Sequence, residues 1–324
     1  MKRILIFLTI TLLVPFSSIL AYSSNVIVGG ENVGIMVKTK GILVVGLYKV
    51  DNELIAASTN IKPGDYIVKV NNNEVNNIND FTNEINNNEN KDSIKIEYKR
   101  DDKLYNGNLK LKKVDNEYKT GLYVKDTVSG IGTLTFIDPK TKLYGALGHQ
   151  IIDSNTNTSL NINEGSIYYS YITGINKSSN GKVGEKESRQ EKDKIYGDVK
   201  ENTNKGIFGN YINDINNDKL TPVAKNDEIV LGGASILTVV ANDEVKEYKI
   251  NIDKIDYKDS TKNILFTITD EELLNKTGGV VQGMSGSPIM QNGKLIGAVT
   301  HAIVDDCKKG YGIFITNMLE EADN

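Results

Sequence analysis

Cysteine and histidine are scarce in this chain: its 324 residues include one cysteine, Cys307, and two histidines, His149 and His301. A single cysteine excludes an internal disulfide. With only two histidines beside it, a dedicated zinc site is not expected, and neither a metal nor a cofactor is called for. Cys307 lies in the charged stretch Asp305-Asp306-Cys307-Lys308-Lys309 and reads as a loop thiol, not a nucleophile. The net charge is −4 and the basic residues are scattered, so the basic stripe that nucleic-acid binding requires is missing. Beyond the N-terminus no apolar run reaches the length of a membrane span. No internal repeat is visible, and the asparagine runs 71–73 and 86–88 carry no functional signal.

Hydrophobic residues make up 39% of the chain and charged residues 25%, a globular balance and not a disordered one. The length suits two domains of ordinary size. Lys2 and Arg3 precede an apolar run over 4–14 that continues less purely to Ala21. A positive start followed by an apolar stretch marks 1–24 as an export signal or membrane anchor. Thr9, Thr11, Pro15, Ser17 and Ser18 interrupt it and weaken it as a spanning helix; cleaved and anchored forms both remain open. The chain is expected to be exported.

Residues 29–113 read as a first unit. The apolar run 42–47 is of strand type. Pro63-Gly64-Asp65 is a turn leading into an alternating strand over 66–70. Asp80 can cap a short helix that places Phe81 and Ile85 on one face, and 94–98 and 109–111 alternate as strands do. The run Gly64-Asp65-Tyr66-Ile67-Val68-Lys69-Val70-Asn71, then Val75 and the helix after it, resembles a PDZ domain. In that resemblance the glycine-rich segment 29–35 looks like the loop that binds a peptide carboxylate, through Gly30, Val33, Gly34 and Ile35. Glycines let backbone N–H groups converge on an anion, and the strand after the loop offers an edge for an extended peptide.

Residues 114–324 read as a second unit of many short strands without long helices, the pattern of an all-β sandwich or barrel. The polar stretch 176–218 is expected to be long loops with one short strand, and 318–322 a last helical turn. Chemistry concentrates in Gly279-Val280-Val281-Gln282-Gly283-Met284-Ser285-Gly286-Ser287-Pro288. Small residues around a serine permit a tight turn that exposes the hydroxyl, and they let N–H groups face a carbonyl oxygen under attack. The N–H groups of Gly283 and Ser285 have the spacing of an oxyanion hole. The segment resembles the nucleophile motif of chymotrypsin-like proteases. A serine nucleophile needs a base, usually histidine. His149, after Tyr144-Gly145-Ala146-Leu147-Gly148 and far upstream of Ser285, fits the order of those enzymes; His301 falls at a substrate-lining position. For the acid, Asp253, Asp256 and Asp270 are open candidates, with Asp153 uncomfortably close to His149 in sequence.

The segments 130–135, 145–149, 277–288 and 297–301, together with the order of export signal, PDZ domain and peptidase, resemble the SpoIVB-type serine peptidases named for stage IV sporulation protein B. The resemblance implies a mainly β fold, a PDZ domain (α+β) followed by a chymotrypsin-like double β-barrel, and a triad of His149, Asp270 and Ser285. It also implies work in sporulation signalling, in the space between forespore and mother cell, on a membrane-associated regulatory protein. Self-cleavage near the N-terminus, around 21–28, is implied too. The partners expected are a protein or peptide substrate and a PDZ ligand, either a free C-terminus or another copy of the chain. Because every triad position follows residue 114, the first unit is expected to be dispensable for chemistry. The alternative is a secreted PDZ-containing peptide-binding adaptor with an inactive peptidase-like domain.

Overall fold

Val33, Ile35 and Val37 alternate inward along a 16-residue strand, Asn32–Leu47, and Ile42, Leu43 and Val44 follow as a fully buried run. The change from alternation to continuous burial marks where this strand leaves one body and enters another. The computed structural model describes residues 22–88, 92–216, 220–241 and 243–323. Of the expected export segment 1–24, residues 1–21 lie outside them. Among the described residues no helix is long and apolar enough to cross a membrane.

The strand bends at Gly41, whose φ of +87° belongs to the left-handed region and whose Cα faces the Ile67 carbonyl too closely for a side chain. Past the bend, Ile42 and Leu43 pair with Ile67 and Tyr66 of Tyr66–Val70. That strand pairs with Ser93–Arg100, which pairs with Lys103–Lys110. Helix Ile78–Asn87 closes this PDZ body. Its cap is Asn77, whose side chain accepts the Asp80 N–H. Asp80, expected as the cap, sits in the first turn and accepts from Asn76 N–H and Asn77 Nδ2. Ile42, Val44, Ile67, Val70, Phe81, Ile85, Ile96 and Leu109 form its core. Buried Asp65 receives both Nε and Nη2 of Arg100, a bidentate ion pair that fixes the turn before the strand.

Before the bend, the same strand belongs to the peptidase body. Residues Asn32–Lys38 pair with Leu122–Ile137 on one side and with Ile162–Asn176 on the other. The sheet continues from Leu122–Ile137 to Leu143–Ala146 and Gly206–Asn210, and from Ile162–Asn176 to Gly184–Asp198. A bridge between Gly197 and Tyr211 draws its two flanks together. Asn25–Val28 also joins, between Leu122–Ile137 and Leu220–Pro222. The second barrel is closed, from Gly232–Val239 through Val245–Ile255, Ile264–Ile268, Lys309–Phe314 and Lys294–Ala302 to Pro288–Gln291. Its core is Ile236, Tyr248, Ile250, Phe266, Met284, Ile289 and neighbours. Helix Ile315–Ala322 packs Ile315, Met318 and Leu319 against Phe136, Phe208, Ala298 and Ile313, filling the space between the barrels.

Two sequence expectations change here. The polar stretch 176–218 is largely strand, including the 15-residue Gly184–Asp198, because most of that strand is solvated and so carries almost no apolar pattern. The segment 29–35 is not a carboxylate-binding loop. Gly29 and Gly30 donate their N–H groups to Thr135 and Leu134, and Val33, Gly34 and Ile35 are paired on both edges. No edge remains there for a peptide to add to.

Candidate active site

Ser285 projects from a turn gripped by both barrels. Gly286 has φ of +91°, and a Cβ there would stand 2.1 Å from the Thr133 carbonyl oxygen, so only glycine fits. Its N–H donates to Val299, the Ser287 N–H to Met284, and the Val299 N–H to Ser287. Met284 is buried in the second-barrel core, and Ser287 is buried with its hydroxyl 3.4 Å from that of Thr133. From the first barrel, the Thr133 N–H donates to the Ser285 carbonyl. The Thr133 hydroxyl donates to Gly283, and that of Thr135 to Gly286, each at 2.8 Å. The Ser285 turn is thus hydrogen-bonded to a strand some 150 residues earlier. In the sequence, Thr133 and Thr135 stand out only as part of the segment 130–135 that carries the family resemblance; their two-residue spacing, which puts both on one face, was the available signal.

His149 follows two consecutive left-handed residues, Leu147 at φ +68° and Gly148 at φ +67°. Leucine is rare in that region and its presence costs roughly 1–2 kcal/mol. The cost is offset by burial of its side chain in the first-barrel core. The outcome is a sharp reversal that delivers His149 into a cavity of about 630 Å³. His149, His301, Gly283 and Ser285 all line it, as do Ile35, Val128, Ile131, Val280 and Val281.

His149 Nδ1 lies 2.8 Å from the Gln150 carbonyl. A carbonyl only accepts, so Nδ1 carries the proton and Nε2 is the free base, the tautomer that general-base work on a serine requires. Burial lowers the His149 pKa from its ordinary 6.5, opposed in part by that hydrogen bond. The His301 ring centroid is 5.1 Å away. Although part of His301 remains exposed, desolvation, then His149 and Lys262, push its pKa down to about 4. Both imidazoles are therefore neutral at neutral pH. The Ser285 hydroxyl donates to the Thr300 carbonyl at 3.0 Å. Among the described residues, neither the Gly283 nor the Ser285 N–H is a donor in the turn and loop hydrogen bonds that hold this segment, and both residues border the cavity.

The expected acid is not at this site. Asp270 is the N-cap of helix Glu271–Thr277: one oxygen accepts the Leu273 N–H and the other the Lys249 N–H. It does not line the cavity that holds His149. The sequence position, fifteen residues before the serine, also begins a helix, and the cap geometry has claimed the carboxylate. Asp253 accepts from Asn251 and Thr267, and Asp256 from Lys258 and Asp259 N–H groups. Asp153 does line the cavity, but its carboxylate is held by Lys125 Nζ and by Asn155 and Thr156. Those donors keep its pKa low in spite of burial. Cys307 lies on a loop, as expected, and is buried there. Its Sγ donates to Gly278, and its carbonyl accepts the Val280 N–H at the root of the nucleophile segment.

A model of the SpoIVB peptidase S55 family matches residues 116–319, more than half of the chain. A PDZ domain model matches residues 32–111. Among solved structures, the PDZ domain of an SdrC-like protein from Listeria monocytogenes is 26% identical, covers 28% of this chain and 93% of its own, and gives a TM-score of 0.24. The active form of the Rv3671c protease from M. tuberculosis is 14% identical over 59% of this chain and 71% of its own, with a TM-score of 0.33. Its inactive form gives 15%, 59%, 84% and 0.31. No curated protein matches the chain.

Proposed function

Because the chain belongs to the SpoIVB peptidase S55 family and is a serine peptidase, we propose that it is an endopeptidase acting through Ser285 and His149 on an extended segment of a membrane-associated regulatory protein in sporulation signalling. The observation that carries the catalytic part is the shared cavity: Ser285, Gly283 and His149, whose Nδ1 faces the Gln150 carbonyl, all line it. The family carries the sporulation part, and with it the proposed location outside the cytoplasm, between forespore and mother cell.

In the reaction, the Ser285 hydroxyl turns from the Thr300 carbonyl to His149 Nε2, which takes its proton as Oγ attacks the scissile carbonyl. The oxyanion is held by the N–H groups of Gly283 and Ser285. His149 then protonates the leaving amine, leaving an acyl-enzyme, and deprotonates the water that hydrolyses it. The Gln150 carbonyl orients the imidazole in place of a carboxylate; a neutral acceptor stabilises the imidazolium less than an aspartate does.

Self-cleavage, if catalysed by this site, falls upstream of Tyr22. Residues Asn25–Val28 are held between two strands, and the Ser23 N–H is bound to Asp138, whereas a cleft needs an extended free segment. The PDZ domain supports peptide or protein binding, and its ligand is proposed to be a partner's chain end or another copy of this chain. The deciding experiment incubates the purified full chain and its Ser285→Ala variant with a fluorophosphonate probe and separately without it. The wild type should label at Ser285 and generate a new N-terminus before Tyr22, and Ser285→Ala should do neither. Absence of labelling in the wild type would favour the adaptor reading.

A further inference from the structure

Lys186 is a buried cation that the catalytic reading leaves without a role. It is 3% exposed, and among the described residues no carboxylate forms an ion pair with it: its Nζ lies 2.9 Å from Asn32 Oδ1 and 2.9 Å from Thr238 Oγ1. A buried lysine without an anion is costly, and burial brings its pKa down to about 7. Such a residue persists where its position matters. Gly184 and Glu185 pair in parallel with Val281 and Gln282, which places Lys186 opposite Gly283. Its Cβ, Cγ and Cδ lie 3.1–3.3 Å from where a Gly283 side chain would begin, so the lysine stem is the surface on which Gly283 rests. Asn32 pairs with Thr133, the residue whose hydroxyl holds the Gly283 carbonyl. Thr238 is in Gly232–Val239 of the closed barrel.

We propose that Lys186 is a positioning residue of the oxyanion turn: its stem supports Gly283 from behind, while its amine ties Asn32 of the first barrel to Thr238 of the second, and so fixes the direction of the Gly283 N–H. The inference rests on Ser285 and Gly283 working as proposed above. Gly283, at φ +92°, has no side chain to hold its own backbone; its amide direction is set by what packs on it. Met284 and Gly286 are anchored by their own hydrogen bonds, so the Gly283 peptide is the part of the turn most dependent on an outside support.

The test compares the full chain with Lys186→Ala, Lys186→Met and Thr238→Val, using a cleavable peptide, its amino-terminal product and the matching peptide aldehyde. Loss of one oxyanion donor costs on the order of 10²–10³ in kcat. Lys186→Ala should therefore lower kcat and the phosphonate inactivation rate by about 100-fold, with KM and product inhibition within about twofold. Aldehyde affinity, which reports the tetrahedral adduct, should fall in parallel with kcat. Lys186→Met, which retains the stem, and Thr238→Val, which removes one tie, should show smaller losses of the same kind. Thr238→Val carries the test should Lys186→Ala fail to fold. Full kcat in a folded Lys186→Ala or Thr238→Val, or equal losses in kcat, aldehyde and product affinity, would overturn the inference while wild-type labelling at Ser285 left the peptidase reading standing.

Discussion

Ser285 and Ser287 share a turn but differ in surroundings: Ser285 faces the cavity, and Ser287 is buried against Thr133. Ser285→Ala should lower turnover by on the order of 10⁴-fold or more with an unchanged melting temperature, whereas Ser287→Ala should keep most of its activity and continue to label at Ser285. Asp270→Ala should leave kcat nearly unchanged and cost about 1 kcal/mol by removing a helix cap, read by urea denaturation alongside peptide turnover; a kcat loss of several orders would return the acid to that position. Activity should rise with pH through a midpoint below 6.5, since His149 must be neutral and its burial favours the neutral form. A pH–kcat/KM profile with its midpoint above 6.5 would contradict this. Stability carries a second signature. The Lys186 pKa of about 7 lies below its unfolded value near 10.5, so between those limits the unfolded chain binds more protons. Raising the pH from 7 to 9 should therefore stabilise the fold. Lys186→Met should flatten that rise, as measured by thermal melts across the interval.

At the scale of elements, the Ser285 turn packs because glycine occupies the point where two backbones nearly touch. Gly286→Ala would drive a Cβ into the Thr133 carbonyl at a left-handed φ. It should lower stability by about 1–3 kcal/mol and abolish labelling, since relief requires moving Thr133 and with it the Gly283 carbonyl. Gly34 differs. A Cβ there meets the side chain of Gln190, whose amide bonds to the Gly130 carbonyl. Gly34→Val should disturb the first barrel beside the cavity and not a PDZ ligand site. Peptide binding to the PDZ body, measured by calorimetry, should survive it if the barrel folds.

For the whole molecule, the shared strand decides how separable the parts are. Asn32–Leu47 runs through both bodies, and its first half lies between Leu122–Ile137 and Ile162–Asn176. A chain beginning at Val114 would lack that central strand and Asn25–Val28 as well, exposing Ile167 and Leu134 of the core. It should not fold: circular dichroism and probe labelling should both fail, in contrast to the dispensable first unit that sequence order alone suggests. The ribbon that this strand forms with Leu122–Ile137 lines the candidate catalytic cavity through Ile35 and Val128. A ligand on the PDZ body that shifts the ribbon therefore acts directly on a wall of the cavity, the kind of differential contact that coupling requires.

The glycine-flanked Ser285 turn, the placing of His149 and the PDZ helix were legible in the sequence because each depends on local pattern. Glycines flanking Ser285 announce a tight turn, His149 is one of only two candidate bases, and Phe81 and Ile85 share a helix face. The peptidase strands were legible wherever one face is buried, and Gly184–Asp198 was missed because it is mostly solvated. What the sequence could not settle were pairings between distant segments. Whether 29–35 binds a carboxylate or completes a barrel depends on which edges meet it, and a glycine-rich β segment suits either. Asp270 is a carboxylate at a helix start and a carboxylate before a serine; only the folded chain aims it at Leu273 and Lys249. Thr133, Thr135 and Lys186 support the oxyanion turn from 97 to 152 positions earlier in the chain, and contacts at that separation leave no periodicity to read. Local sequence marked the candidate reacting groups; tertiary pairing decided what holds and orients them.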